Sequence, residues 1–230
     1  AIFGLTVTVE TAGIAAALVL VQAWLSTALF ITAHDAMHGA VAPRWPRLQH
    51  ALGRCALMIY AGIDFARMAP AHFDHHKYAG TAGDPDFNAR DPRAFGPWLT
   101  RFFTGYYSWW QTIRLTGVGV IYTLLGASFA NIMLFWALPS LLAVLQLFYF
   151  GTYLPHRHDD GAAFADRHRT RSLPMSDLAS LVSCFHFGGY HHEHHLSPST
   201  PWWRLPTVRA AYAERRAVTS SSVRPNSASA

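Results

Sequence analysis

The chain has 230 residues, 51% hydrophobic and only 13% charged, with a formal charge of +5; a soluble domain carries about 25% charged residues. That apolar content, with 14% aromatics, excludes disorder. The basic residues form no dense or aromatic-interleaved patch, so no nucleic-acid partner is expected, and two cysteines cannot staple a chain of this length. A membrane protein or an unusually apolar core remains, and the placement of charge decides between them.

No Asp, Glu, Lys or Arg lies between Thr11 and His34. About 20 apolar residues make one helical crossing, so a crossing is predicted over 12–34. The next apolar run, Ala51–Ile63, is short, contains Arg54 and is flanked by basic residues, which predicts an interfacial or re-entrant helix over 50–66. Residues 97–113, with Trp98, Phe102, Phe103, Tyr106, Trp109 and Trp110, read as an aromatic belt. From Leu115 to Pro155 the chain is uncharged for 41 residues. That length predicts two crossings, 115–128 and 130–154, folded as a hairpin around Ser128–Asn131. A single domain over 1–216 is therefore expected, with a low-complexity, disordered tail over 217–230.

The first Lys or Arg is Arg44, and none lies in the 127–131 turn. By the positive-inside tendency, 38–114 and the chain after His156 face the cytoplasm. This layout leaves Ala1 outside, so a preceding segment, such as a further crossing, is expected.

Fourteen histidines carry the chemistry. His34 and His38 stand four apart where the first crossing ends. His72, His75 and His76 stand at i, i+3 and i+4, and His191, His194 and His195 repeat that spacing. On a helix, residues three and four apart share a face, so each cluster can aim two or three imidazoles at one point. Eight imidazoles exceed the six positions of an octahedral ion, and imidazole suits iron, copper, zinc and nickel. Two metals sharing the site is the economical reading, with His156 at the same membrane edge completing the set. His50, His158 and His168 read as surface or capping residues.

Other metal chemistries lack their residues. The HHEHH run contains neither the zinc-protease motif nor its inverse, because Leu196 and Tyr190 occupy the needed positions. Three glutamates, Glu10, Glu193 and Glu214, cannot build a carboxylate-bridged di-iron bundle. Cys184 reads as a small buried apolar residue, and Gly117-Val118-Gly119 as a helix-packing site. A metal transporter would place ionisable ligands within its crossings, whereas 12–33 and 115–155 contain no histidine and no charge. Asp35 and Glu193, inside the clusters, are expected to accept the second N–H of ligating rings. His186 and His192 are spare histidines, supporting or alternate ligands.

The chain resembles the integral-membrane, histidine-rich di-iron superfamily of desaturases and hydroxylases. Its words FITAHDAMHG (Phe30–Gly39), HHKYAGTAGDPDF (His75–Phe87), FGTYLPHR (Phe150–Arg157) and CFHFGGYHHEHHLSPSTPWWRLP (Cys184–Pro206) resemble the bacterial-type beta-carotene ketolases. The resemblance implies an all-α fold of polytopic membrane helices with a cytoplasmic, histidine-rich dimetal cap. It implies two Fe2+ ions held by His34, His38, His72, His75, His76, His156, His191, His194 and His195. It further implies O2 as co-substrate, an external, ferredoxin-type electron donor, and a keto group introduced at allylic carbon 4 of a carotenoid β-ionone ring. The place implied is the bacterial inner membrane. Within the superfamily the alternatives are a carotenoid 3-hydroxylase, a fatty-acid desaturase or an alkane hydroxylase. Motif wording, not histidine count, separates these from the ketolase reading.

Overall fold

Residues 1–158 and 164–222 are described in a computed structural model, with side chains through Arg215. Helix α1 spans Ala12–Met37, α2 Pro46–Ala61, α3 Phe65–Tyr78, α4 Phe95–Tyr106 and α5 Trp109–Leu124. One continuous helix, α6, follows over Phe129–His156, then α7 Asp177–Cys184, α8 His191–Leu196 and α9 Leu205–Ser222. No strand occurs among the described residues, so the all-α expectation is borne out. Residues 223–230, most of the tail expected to be disordered, lie outside the described residues, and α9 continues through Ser222.

Local chemistry sets the boundaries. Pro46 opens α2, where its missing N–H is an orphan in any case, and Gly62 closes it in the left-handed region at φ +64°. Asp64 then caps α3 by accepting the Ala66 N–H at 2.9 Å. The stretch 50–66, expected as one interfacial helix, is therefore the end of α2, a turn, and the start of α3. Ser108, Ser128 and Ser176 cap α5, α6 and α7 in the same way.

Two helices, α1 and α6, are long and apolar enough to cross a membrane. At 1.5 Å per residue they reach about 39 and 42 Å, against a hydrocarbon core of about 30 Å. α5, with 16 residues, is about 24 Å long. It begins within the aromatic segment: Trp109 and Trp110 are exposed while Trp98 turns fully inward.

α1 is the central post, packed along α2 on one side and α6 on the other. Gly53 permits the first approach, since a Cβ there would sit 2.3 Å from the Phe65 ring and 3.0 Å from Ala36 Cβ. On the other side Gln146 of α6 accepts the Thr27 hydroxyl at 2.7 Å and donates to the Val182 and Ser183 carbonyls. That polar tie fixes α1, α6 and α7 within otherwise apolar surroundings. Two π-helical stretches, Met133–Ala137 and Leu147–Tyr153, widen α6, the second just before His156. Such widened turns concentrate at functional sites. The main core, built around Ile31, Ala36, Leu57, Phe65 and Leu147, closes on Phe185 and Phe187 beneath the histidines.

Candidate metal centre

Three helix ends and one short helix deliver the histidines to one place. His34 ends the last full turn of α1 and His38 is its C-terminal cap. α3 carries His72, His75 and His76, and α6 terminates in His156. α8 is only six residues, His191–Leu196, and depends on its approach. Gly189 packs directly on α7, where a Cβ would meet Ser180 Oγ at 2.3 Å, so α8 is seated against the bundle from its first residue.

All nine histidines expected as ligands come together, in two nests. His34, His38, His72, His76 and His194 form one; His75, His156, His191 and His195 form the other, the ring nitrogens of each nest lying within 4.8 Å of one another. The expectation that each HxxHH triplet aims at a single point is corrected. His72 and His76 share one nest while His75 enters the other; His191 and His195 share one while His194 enters the other. Residues i and i+4 are offset by about 40° around the axis and i+3 by about 60° the other way. Each triplet therefore straddles both nests, and the stacked rings of His76 and His195, 4.3 Å apart, are the shared wall.

The spacing of nitrogens is that of ligands rather than of ordinary core residues. Nε2 atoms face each other at 2.7 Å in His38–His72, 2.9 Å in His156–His191 and 3.0 Å in His76–His194. Nitrogens bound at about 2.1 Å and right angles to one ion would stand about 3.0 Å apart. His195 has both ring nitrogens buried without any partner, and Nδ1 of His191 and His194 are likewise unsatisfied. A buried polar atom left unpaired costs about 1–3 kcal/mol, which a metal at Nε2 of His195 would remove for that atom. The donor set fits a pair of imidazole-bound metals.

Burial holds the rings neutral. It lowers His38 to about 4 and His76 to about 2, with nearby imidazoles adding to both. His72, His191, His194 and His195 are pushed well below the ordinary value by burial and then by neighbouring rings. His75 differs: burial opposes the proton, but Asp84 and then Asp86 outweigh it and raise the ring.

Asp35 Oδ1 stands 3.3 Å from His34 Nδ1, and its Oδ2 accepts the Trp202 N–H at 3.0 Å. Glu193 takes a different place. It pairs with Arg209 Nε at 2.7 Å and accepts the Ser172 hydroxyl at 2.5 Å, tying α8 to α9 instead of orienting a ring. His192 turns away from both nests, Nε2 2.8 Å from Asp166, and His186 sits at φ +70° beside Tyr190 and Trp202. Neither joins a nest. Residues that spacing did not single out are Asp84, Asp86 and Tyr106. The sole trace of the acidic pair was the DPDF word (Asp84–Phe87).

Below the nests lies an apolar cavity that touches His34, His72, His194 and Asp86. A second cavity, bounded by Tyr60, Ile63, Tyr107 and Leu115, shares Phe30, Met68, Phe102, Tyr106 and Leu147 with the first. The two apolar cavities thus lie side by side between the α4–α5 side and the imidazoles.

Two helices long and apolar enough to cross a membrane, beneath a cap of twinned imidazole nests, fit a histidine-rich membrane oxidoreductase. The fatty acid desaturase family pattern matches residues 11–115 and 107–223. The chain is 50% identical over 188 residues to a beta-carotene ketolase of Paracoccus sp. (strain N81106 / MBIC 01143), covering 81% of this chain and 75% of that protein. It is 47% identical, with the same coverage, to a beta-carotene ketolase of Paracoccus sp. (strain PC1). A beta-carotene ketolase of Haematococcus lacustris is 41% identical over 199 residues, 84% of this chain and 62% of that one. The chain belongs to the fatty acid desaturase family and, within it, to the beta-carotene ketolases, as its motif words implied.

Proposed function

We propose that this chain is a di-iron membrane oxygenase that introduces a keto group at allylic carbon 4 of the β-ionone rings of beta-carotene and related carotenoids. The observation that carries the reading is an apolar cavity lined by histidines of both imidazole nests, with a second apolar cavity beside it on the α4–α5 side. A substrate dissolved in lipid would enter ring first, past Phe102 and Leu147, and present its allylic C–H to the nests. That bond has neither an acidic proton nor a leaving group, so oxygen activation at a redox metal is the chemistry required. Two Fe2+ ions, bound by the nine histidines, would supply it with O2 and electrons from an external ferredoxin-type donor.

The chain's own residues do the rest. Phe30, Met68 and Phe187 exclude water and hold the ring against the metals. Neutral imidazoles would hold the ions without cancelling their charge. Asp35 and the Arg169 carbonyl, 3.0 Å from His156 Nδ1, fix ring orientation through the second nitrogen. Two successive hydroxylations at one carbon give a geminal diol, which loses water to leave the ketone.

Expression in a bacterium that accumulates beta-carotene, followed by pigment chromatography, tests this. Mono- and diketo carotenoids are expected. Ring hydroxylation without ketone, or new double bonds in lipid with unchanged carotenoid, would assign the chain another reaction of the superfamily. The orientation we propose places the nests at the cytoplasmic face of the inner membrane. Tags after Pro46, near Arg93 and at the C-terminus should then report from the cytoplasm, and a tag at Ser128–Asn131 from the opposite side. An external report near Arg93 would reverse that placement.

A further inference from the structure

His75 is the exception on its helix. Its neighbours His72 and His76 serve the five-histidine nest, while His75 must hold Nε2 toward the other. Something has to fix its ring, and the structure offers two carboxylates. Asp86 is already engaged: its Oδ1 accepts the Tyr106 hydroxyl at 2.5 Å, and its Oδ2 stands 3.9 Å from His75 Nδ1. Asp84 is closer and better aimed. It is 1% exposed, and its Oδ1 lies 3.0 Å from His75 Nδ1.

Asp84 is itself immobilised. Oδ1 also accepts the Asp86 N–H, and Oδ2 accepts the Gly80 N–H, both at 2.9 Å. Three donors on a buried carboxylate satisfy a group whose desolvation would otherwise be prohibitive. They also leave its orientation no freedom, so His75 receives a fixed acceptor for Nδ1–H. Among the other rings of that nest, His156 Nδ1 meets only the Arg169 carbonyl, and the Nδ1 atoms of His191 and His195 meet nothing.

Resting on the two-metal reading above, we infer that Asp84 is a positioning residue. It fixes the tautomer and orientation of His75 so that Nε2 faces the four-histidine nest, and the metal affinity of that nest, not of the other, depends on it. Loss of such a partner typically costs about 10–100-fold in metal affinity. An asparagine could still present Oδ1 to His75 Nδ1–H and the Asp86 N–H, but its amide would then oppose the Gly80 N–H. Partial rescue is therefore expected from Asp84→Asn.

The test titrates Co2+ into the full chain, purified in detergent and stripped of metal, reading bound metal by mass spectrometry and ligand-field absorption. The unsubstituted chain should take two Co2+. Asp84→Ala should keep one site at the original affinity and weaken the other about 10–100-fold, with Asp84→Asn between. Two sites of unchanged affinity in Asp84→Ala would overturn the inference. So would equal weakening of both sites in both variants, the signature of general loop disruption. Fewer than two sites in the unsubstituted chain would instead remove the two-metal reading, and the role of Asp84 with it.

Discussion

The two nests are made from the same residue type yet are built differently. The five-histidine nest joins His34 and His38 at the end of α1 with His72 and His76 of α3 and only one ring, His194, from α8. The four-histidine nest draws one ring from α3, one from the end of α6 and two from α8. The first is therefore framed by α1 and α3, neighbours in the bundle. The second adds the end of α6 to α3 and α8. Both nests join distant parts of the chain; the first has one polar support, Asp35 beside His34, and the second has two, Asp84 and the Arg169 carbonyl.

The comparison breaks most visibly at α8. His191→Ala removes a ring whose Nε2 faces His156 at 2.9 Å. It is expected to lower ketone formation by more than about 100-fold, beyond the range for supporting residues, and to lose the metal of the four-histidine nest while the other remains. Pigment analysis at matched expression, with metal counted in the purified variant, checks both parts.

A smaller effect concerns pH in the metal-free protein. Burial holds His38 at about 4 and His76 at about 2, against an ordinary value of about 6.5. Below about pH 6.5 the unfolded chain takes up protons that the folded nests refuse, so folding stability falls as pH drops from about 6.5 toward 4. His75, raised by Asp84 and Asp86 over the opposition of burial, acts the other way as a single group. Thermal melts in detergent should shift downward across that window; flat melts would contradict neutral nests.

Arg209→Ala should cost less. It leaves Glu193 the Ser172 hydroxyl as its remaining side-chain donor, but Arg209 is partly exposed and its ion pair is screened accordingly. A loss of about 1 kcal/mol, with the metal count unchanged, is expected. Weakest of all, His192→Ala removes a half-buried ring bonded to Asp166 and should leave a measurable fraction of ketone formation. A silent His192 variant beside an active, fully metallated His191 variant would reverse the assignment.

Much of this was legible in the residues. Uncharged runs marked α1 and α6, histidine spacing marked eight members of the nests, and the end of the apolar hairpin marked His156. The partition between nests was not legible, because it depends on how α3 and α8 are rotated against each other, and HxxHH is compatible with either sharing. The stretch 50–66 is divided for a local reason: Gly62 ends one helix and Asp64 caps the next. Asp84 escaped notice because it lies nine residues beyond His75, past the end of α3, where no periodicity links it to the ring. Glu193 sits among the ligands in sequence yet faces Arg209, since adjacent residues on a helix point about 100° apart.

The central claim is that one chain holds two metals, one in each imidazole nest, beside an apolar cavity. The most direct test is the iron content of detergent-purified protein that demonstrably forms ketone from beta-carotene. About two iron ions per chain are predicted from the two nests. One ion per chain at full occupancy, in a folded and active sample, would contradict the account.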